Sequence, residues 1–235
     1  MKRSSAIRPQ VLVTLAAVVV VFISGCASGG FLGGGWKPLF NGRDLSGWVR
    51  KGGNANYRMD GAEIVGSPAP GTANTFLCTE RSYTNFILEM EFKPMLNLNS
   101  GVQVRSEVFD TQTVTNINGK LYKFPPNRVH GYQIEIDPSP RAWTGGLYDE
   151  ARRGWLQTLE TNQPARLAFK AAQWNRLRIE CRGDSIRSWL NGVAATDFHD
   201  SMTPSGLIGL QVHAVKTNLA GLEVRWRNVR LQELP

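Results

Sequence analysis

Residues 131–137, GYQIEID, place two carboxylates and an amide on alternate positions. Read as a strand, Tyr132, Ile134 and Ile136 share one face, and Gln133, Glu135 and Asp137 share the other, because side chains alternate with a period of two. Two further stretches repeat the arrangement. In SGVQVRS (100–106), Val102 and Val104 oppose Gln103 and Arg105; in GLQVHA (209–214), Leu210 and Val212 oppose Gln211 and His213. Amides, an arginine, two carboxylates and one of only three histidines make an inventory suited to acid–base chemistry on a hydroxylated substrate. The alternative is a solvated outer face.

Each residue has a functional and a plain reading. Carboxylates at i and i+2 of a strand stand about 7 Å apart by strand rise, within the roughly 6.5–9.5 Å of inverting glycosidases. Arg105 beside Glu135 or Asp137 would hold a carboxylate ionised; otherwise it forms a surface ion pair of about 0–1 kcal/mol. His213 is a general base, a metal ligand or an ordinary strand histidine. Together with a carboxylate it could bind a divalent ion that polarises a carbonyl. Gln103, Gln133 and Gln211 are candidate hydroxyl binders. Trp143, Tyr148 and Trp155 follow in RAWTGGLYDEARRGW (141–155). They offer stacking faces for sugar rings, or they pin that loop to the core. Asp149, Arg152 and Arg153 brace the same loop.

The elements that must position these residues are strands. FILEMEFKP (86–94), NRLRIEC (175–181), SIRSWLNGV (185–193), GLIGLQVH (206–213) and EVRWRNVRLQEL (223–234) all alternate, with turn signals RGD (182–184), NG (191–192) and PSG (204–206) between them. No window of a dozen residues carries a helical stripe. The pattern predicts an all-β fold, one antiparallel β-sandwich over 36–235, with long loops at 49–74, 109–130 and 138–173. If each strand buries its aliphatic side, the three polar sets lie on an outer sheet face. Cys78 and Cys181 read as two buried thiols, with a disulfide in an oxidising compartment as the alternative.

The N-terminus is of another kind. Lys2, Arg3 and Arg8 precede a thirteen-residue apolar run, VLVTLAAVVVVFI (11–23). That is short of the roughly 20 residues of a membrane-spanning helix and reads as an export signal over 1–25. ISGC, ending at Cys26, resembles the bacterial lipobox, which implies cleavage before Cys26 and its lipidation, with 26–35 as a Gly/Ser-rich tether. The expected location is the cell envelope, through a lipid anchor in the outer membrane, since Ala27 does not resemble an inner-membrane retention signal. Without the signal the formal charge falls from +8 to +5. The basic residues are scattered, so no nucleic-acid partner is expected.

PLFNGRDLSGW (38–48), NSGVQVRS (99–106), GYQIEIDPSPRAWTGGLYDEARRGWL (131–156), WNRLRIECRGDSIRSWLNG (174–192), GLIGLQVH and VRWRNVRLQEL (224–234) occur in an order that resembles the 3-keto-disaccharide hydrolase family. The resemblance implies a concanavalin A-like lectin/glucanase jelly roll and cleavage of glycosides already oxidised at C3. On that expectation His213 or Glu135 is the base, Asp137 a partner acid, Arg105 the oxyanion stabiliser, and the three glutamines, Trp143 and Tyr148 bind the sugar. The rival readings are a non-catalytic lectin-like module, an ordinary glycosidase using Glu135 and Asp137, and a structural envelope lipoprotein.

Overall fold

The computed structural model describes residues 35–95, 98–216 and 221–235. The segment read as an export signal and Cys26 lie outside them. The strands in chain order are β1 (Trp36–Pro38), β2 (Trp48–Gly52), β3 (Asn56–Asp60), β4 (Glu63–Ser67), β5 (Thr75–Thr79) and β6 (Phe86–Pro94). They continue as β7 (Ser100–Ser106), β8 (Thr113–Ile117), β9 (Lys120–Phe124), β10 (Gly131–Ile136), β11 (Leu147–Glu150) and β12 (Gly154–Gln157). The last are β13 (Asn175–Arg182), β14 (Ser185–Leu190), β15 (Val193–His199), β16 (Leu207–Val212) and β17 (Val224–Glu233). One six-residue helix, α1 (Gln163–Ala168), is capped by the Asn162 side chain, which accepts from the Ala165 N–H.

Two antiparallel sheets face each other. The first runs β15-β14-β13-β6-β17-β4-β3, with β1 also pairing β17; the second runs β12-β11-β10-β7-β16-β5-β2. The expected all-β jelly roll is what the chain forms. Two corrections apply to the expected loops: 49–74 contains β3, β4 and most of β2, and 138–173 contains β11, β12 and α1. In 109–130 the chain makes the separate hairpin β8–β9. These strands are short, at four or five residues each, and too brief for alternation to register in the sequence.

The core holds the aliphatic halves of both sheets. Phe86, Leu88, Met90 and Phe92 of β6 and Leu177 and Ile179 of β13 meet Val102, Val104, Ile134, Ile136, Leu210 and Val212 of the second sheet. Burying each such side chain is worth roughly 1.5–3 kcal/mol. The outer face of the first sheet is solvated by ion pairs. Glu89, for one, is held by Arg176, Arg178 and Arg230 at 2.9, 3.1 and 2.6 Å. Cys78 and Cys181 are both free and buried, on β5 and β13 in different sheets. Burial pushes each thiol up to about 12.

Phasing fails at one place on β7. Gln103 pairs with Gly209 and Ser106 with Leu207, so Val104 and Arg105 together face the single residue Ile208. This is a β-bulge, and Arg105 takes a left-handed φ of 47°. The extra residue reverses the alternation. Arg105 does not join the outer face but is fully buried. It donates to the carbonyls of Thr84 and Gly183, both at 2.7 Å, and to Asn85 Oδ1 at 3.2 Å. Its guanidinium ties β7 to turns that flank β6 and β13 of the facing sheet. The expected oxyanion role for Arg105 is therefore corrected to a structural one. Arg105→Leu is expected to cost about 2–4 kcal/mol, because two carbonyls and an amide oxygen lose their donor. The measurement is a lower urea midpoint at unchanged slope, and an unmoved midpoint would contradict the tie.

Candidate active site

The outer face of the second sheet is divided. Over β5, Phe76 and Cys78 are sealed by Val129, with Val108 and Leu207 against them. Over β10, β7 and β16 the surface is polar. Register places Glu135 beside Gly101 and Gly101 beside Gln211; one step along, Gln133 lies beside Gln103 on one side and Tyr148 on the other. Gly101 is required where it stands: a Cβ there would sit 2.5 Å from Gln133 Cδ. Its missing side chain is the space in which the Gln133 amide lies.

The carboxyl of Glu135 is held on both oxygens. Asn99 Nδ2 donates to Oε1 at 2.6 Å and Gln133 Nε2 to Oε2 at 2.8 Å. Gln133 Oε1 in turn accepts from Gln103 Nε2 at 2.6 Å. Glu135 is only 5% exposed. Burial, the largest influence, lifts its pKa to about 7 against the opposing pull of the two amides; Asp137 adds to the rise and Arg141 reduces it. At neutral pH it can both take and give a proton.

Around Glu135 a cavity of about 440 Å³ is lined by Gln133, Gln211, His213, Tyr148, Glu150 and Trp155, with Asn74, Asn99, Arg128 and Arg141 at its margins. That volume suits a small ligand. Asn74, just before β5, donates to Glu150 at 3.2 Å and accepts from the Ala214 N–H at 2.9 Å. Three strands separate β5 from β11 in the sheet, so the coil of the sheet folds these elements towards each other. Glu150 is also pushed above the usual carboxylate range by burial, offset by Arg128 at 3.3 Å, by Asn74 and by His213. Trp155 stands edge-on to Tyr148, with centroids 5.2 Å apart, and the Arg141 guanidinium lies 5.1 Å over its ring. The amide O and N of Gln211 are buried and have no hydrogen-bond partner among the described residues.

Of the residues singled out in the sequence, Glu135, Gln133, Gln211, Tyr148, Trp155 and His213 line this one cavity. His213 is exposed, and its Nδ1 lies 2.9 Å from the Ala214 carbonyl. A carbonyl only accepts, so Nδ1 carries a proton, which leaves Nε2 to take up a proton and give it back. Gln103 lies behind Gln133. Asp137, just past β10, turns to the 138–144 loop: it accepts from Ser139 N at 3.1 Å and Arg141 Nε at 2.8 Å. These bonds outweigh its burial and lower its pKa, so it is an ionised brace that aims Arg141, not a partner acid. Trp143 stands edge-on to Trp155 at 4.9 Å and packs against the cluster of Leu159, Ala165 and Ala195, pinning the loop instead of lining the cavity. Asp149, wholly buried between Arg152 (2.7 Å) and Arg153 (2.5 Å), is the brace it was read as.

The sequence reading missed Asn74, Asn99, Arg128, Arg141 and Glu150. Glu150 had a signal, since it shares the phase of Tyr148 in LYDE once β11 is seen as a strand; the others sit in turns, where no period marks them. Among the described residues, no three His, Cys, Asp or Glu side chains come close enough to hold a metal ion. The carboxylates at the cavity are already engaged with amides and arginines.

The fold recurs at low identity. A candidate glycosyl hydrolase of Parabacteroides distasonis aligns over 86% of this chain and 94% of its own, with TM-score 0.56 and 19% identity. The Bacillus licheniformis β-glucanase aligns over 87% and 100%, with TM-score 0.53 and 14% identity. A Bacillus subtilis protein of unknown function with a galectin-like fold aligns over 84% and 94%, with TM-score 0.56 and 12% identity. These likenesses speak for architecture alone. No curated protein matches. The family model for the 3-keto-alpha-glucoside-1,2-lyase-like domain matches residues 35–232, nearly the whole sandwich together with every residue of the cavity, and the chain belongs to that family.

Proposed function

We propose that this protein cleaves glycosides oxidised to a ketone at C3, with Glu135 as the base that removes the C2 proton. The observation that carries the reading is the Glu135 carboxyl: it is shielded from bulk water, opens onto a cavity with two aromatic rings, and has its proton affinity set near neutrality. A C3 ketone acidifies C2–H. Glu135 takes that proton, and the C2–H electron pair forms the enolate, with its charge on the C3 oxygen. Arg141, held by Asp137 at the margin of the cavity, supplies the positive charge expected earlier of Arg105. The enolate then expels the C1 substituent, whose oxygen takes a proton from Glu150 or from protonated His213. Water then adds its oxygen to C1, its proton goes to whichever of Glu150 and His213 protonated the leaving group, and the proton held by Glu135 returns to C2. Tyr148 and Trp155 supply stacking surfaces, and Gln211 offers an unspent donor and acceptor to sugar oxygens.

A binding module of lectin type is the second reading. It uses the same aromatics and Gln211 but gives no role to the raised pKa of Glu135. On sequence grounds alone we place the protein outside the cytoplasm, lipid-anchored through Cys26.

Glu135→Gln is expected to lower kcat/KM on a 3-keto-glucoside by about 10²–10⁴, with His213→Ala less affected. Near-wild-type turnover in both variants rejects the assignment. Turnover of the unoxidised glycoside would select an ordinary glycosidase, and binding of it without any product would select the module.

The same carboxyl predicts a pH dependence of stability. The folded pKa of about 7 lies above the ordinary glutamate value of 4.5. The folded state therefore holds a proton that the unfolded chain releases, and stability is lost as pH rises from about 4.5 to 7. One unit is about 1.4 kcal/mol, so the effect is at most about 3.5 kcal/mol. Wild type minus Glu135→Gln, compared by urea unfolding, should become less favourable between pH 5 and pH 8; a constant difference would show that the carboxyl titrates normally.

A further inference from the structure

The bulge that removes Arg105 from the outer face also puts Ser106 there. Ser106 is 1% exposed, and its hydroxyl donates to Gln103 Oε1 at 2.5 Å. With Ser106 at its head, a directed series of hydrogen bonds runs through Gln103 and Gln133 to Glu135. Gln103 and Gln133 are 0% and 2% exposed, so water does not compete for their ends. An amide has one accepting and one donating end, so the direction fixed at Ser106 is passed along the series.

We propose that Ser106 and Gln103 are positioning residues that act through Gln133, obliging it to present its N–H rather than its carbonyl to Glu135. The argument rests on the reading of Glu135 as the proton acceptor. Because the Ser106 hydroxyl donates to Gln103 Oε1, the Gln103 Nε2 is left to donate to Gln133 Oε1. That in turn leaves Gln133 Nε2 for the carboxylate. Reversed, the Gln133 carbonyl would face Glu135 and favour its protonated form, leaving the base occupied by its own proton.

The hydroxyl also lies 3.2 Å from the Tyr132 carbonyl and 3.3 Å from the Val104 carbonyl. Gln103 Oε1, at 2.5 Å, is the nearest of the three acceptors, and the hydroxyl proton goes to it. A methyl group at position 106 would remove the donor that holds the empty-base direction.

The test is carboxyl NMR of the full chain labelled with ¹³C-glutamate, titrated with pH, with the Glu135 signal identified by its absence in Glu135→Gln. Ser106→Ala is expected to raise the Glu135 midpoint by about one unit, the equivalent of one hydrogen bond. Gln103→Met should raise it at least as much, and Ser106→Thr should restore the wild-type midpoint. An unchanged midpoint in Ser106→Ala, or a Thr variant as shifted as the Ala variant, overturns the proposal. If Ser106→Ala does not fold, the Gln103→Met and Ser106→Thr midpoints decide it in the same way. The readout needs no substrate. A shifted titration without turnover on a 3-keto-glucoside would uphold the positioning role and reject the proposed reaction; turnover with an unshifted titration would do the reverse.

Discussion

A carboxyl placed under a layer of side chains, out of reach of water, must be solvated by the protein or must keep its proton. Glu135 meets this constraint part way. Two amides donate to its oxygens, yet burial still outweighs them and leaves its proton affinity near neutrality. Asn99 and Gln133 cannot turn away without leaving the carboxylate bare. Gly101 cannot acquire a side chain without displacing Gln133. Gln103 must occupy the next position to engage the far end of Gln133. The polar floor of the cavity is organised by the demand of one carboxyl.

The two outer faces of the sandwich show how differently the same alternation can be used. On the first sheet, polar residues are long and oppositely charged. Glu89 lies among three arginines, and Arg225 bridges Asp60, Glu63 and Glu223. Such pairs keep a face soluble and add little stability apiece. On the second sheet the residues are amides, glycine and carboxyls of shifted proton affinity, roofed by loops and by the coil of the sheet. A buried amide left without a partner, as in Gln211, is costly in a surface that has no ligand to receive. That contrast, more than the fold, separates a catalytic or binding face from a solvated one, since jelly rolls serve enzymes and binding modules alike.

Much of this was legible in the chain. The alternation of β6, β7, β10, β13 and β16 marked the strands, their buried sides and the shared outward direction of Gln133, Glu135 and Gln211. Tyr148 was visible as an aromatic beside them. Elements of four or five residues such as β3, β4, β11 and β12 were hidden, because two alternations are too few to stand out, and with β11 went Glu150. Asn74, Asn99, Arg128 and Arg141 come from turns, whose side chains have no period. Asp137 kept its phase but ended the strand, and the loop beyond captured it.

The sequence by itself determined which half of each long strand is apolar, and hence the two-sheet sandwich and the polar character of the face carrying Glu135. The physical reason is local: a strand points successive side chains to opposite sides, and only one side can be buried against the facing sheet. The tertiary structure alone decided which polar residues meet. One extra residue at the β7 bulge sent Arg105 into the interior and brought Ser106 to Gln103, and the coil of the second sheet brought Asn74 to Glu150. Both depend on register and curvature between strands distant in the chain, and no spacing within a single strand encodes either.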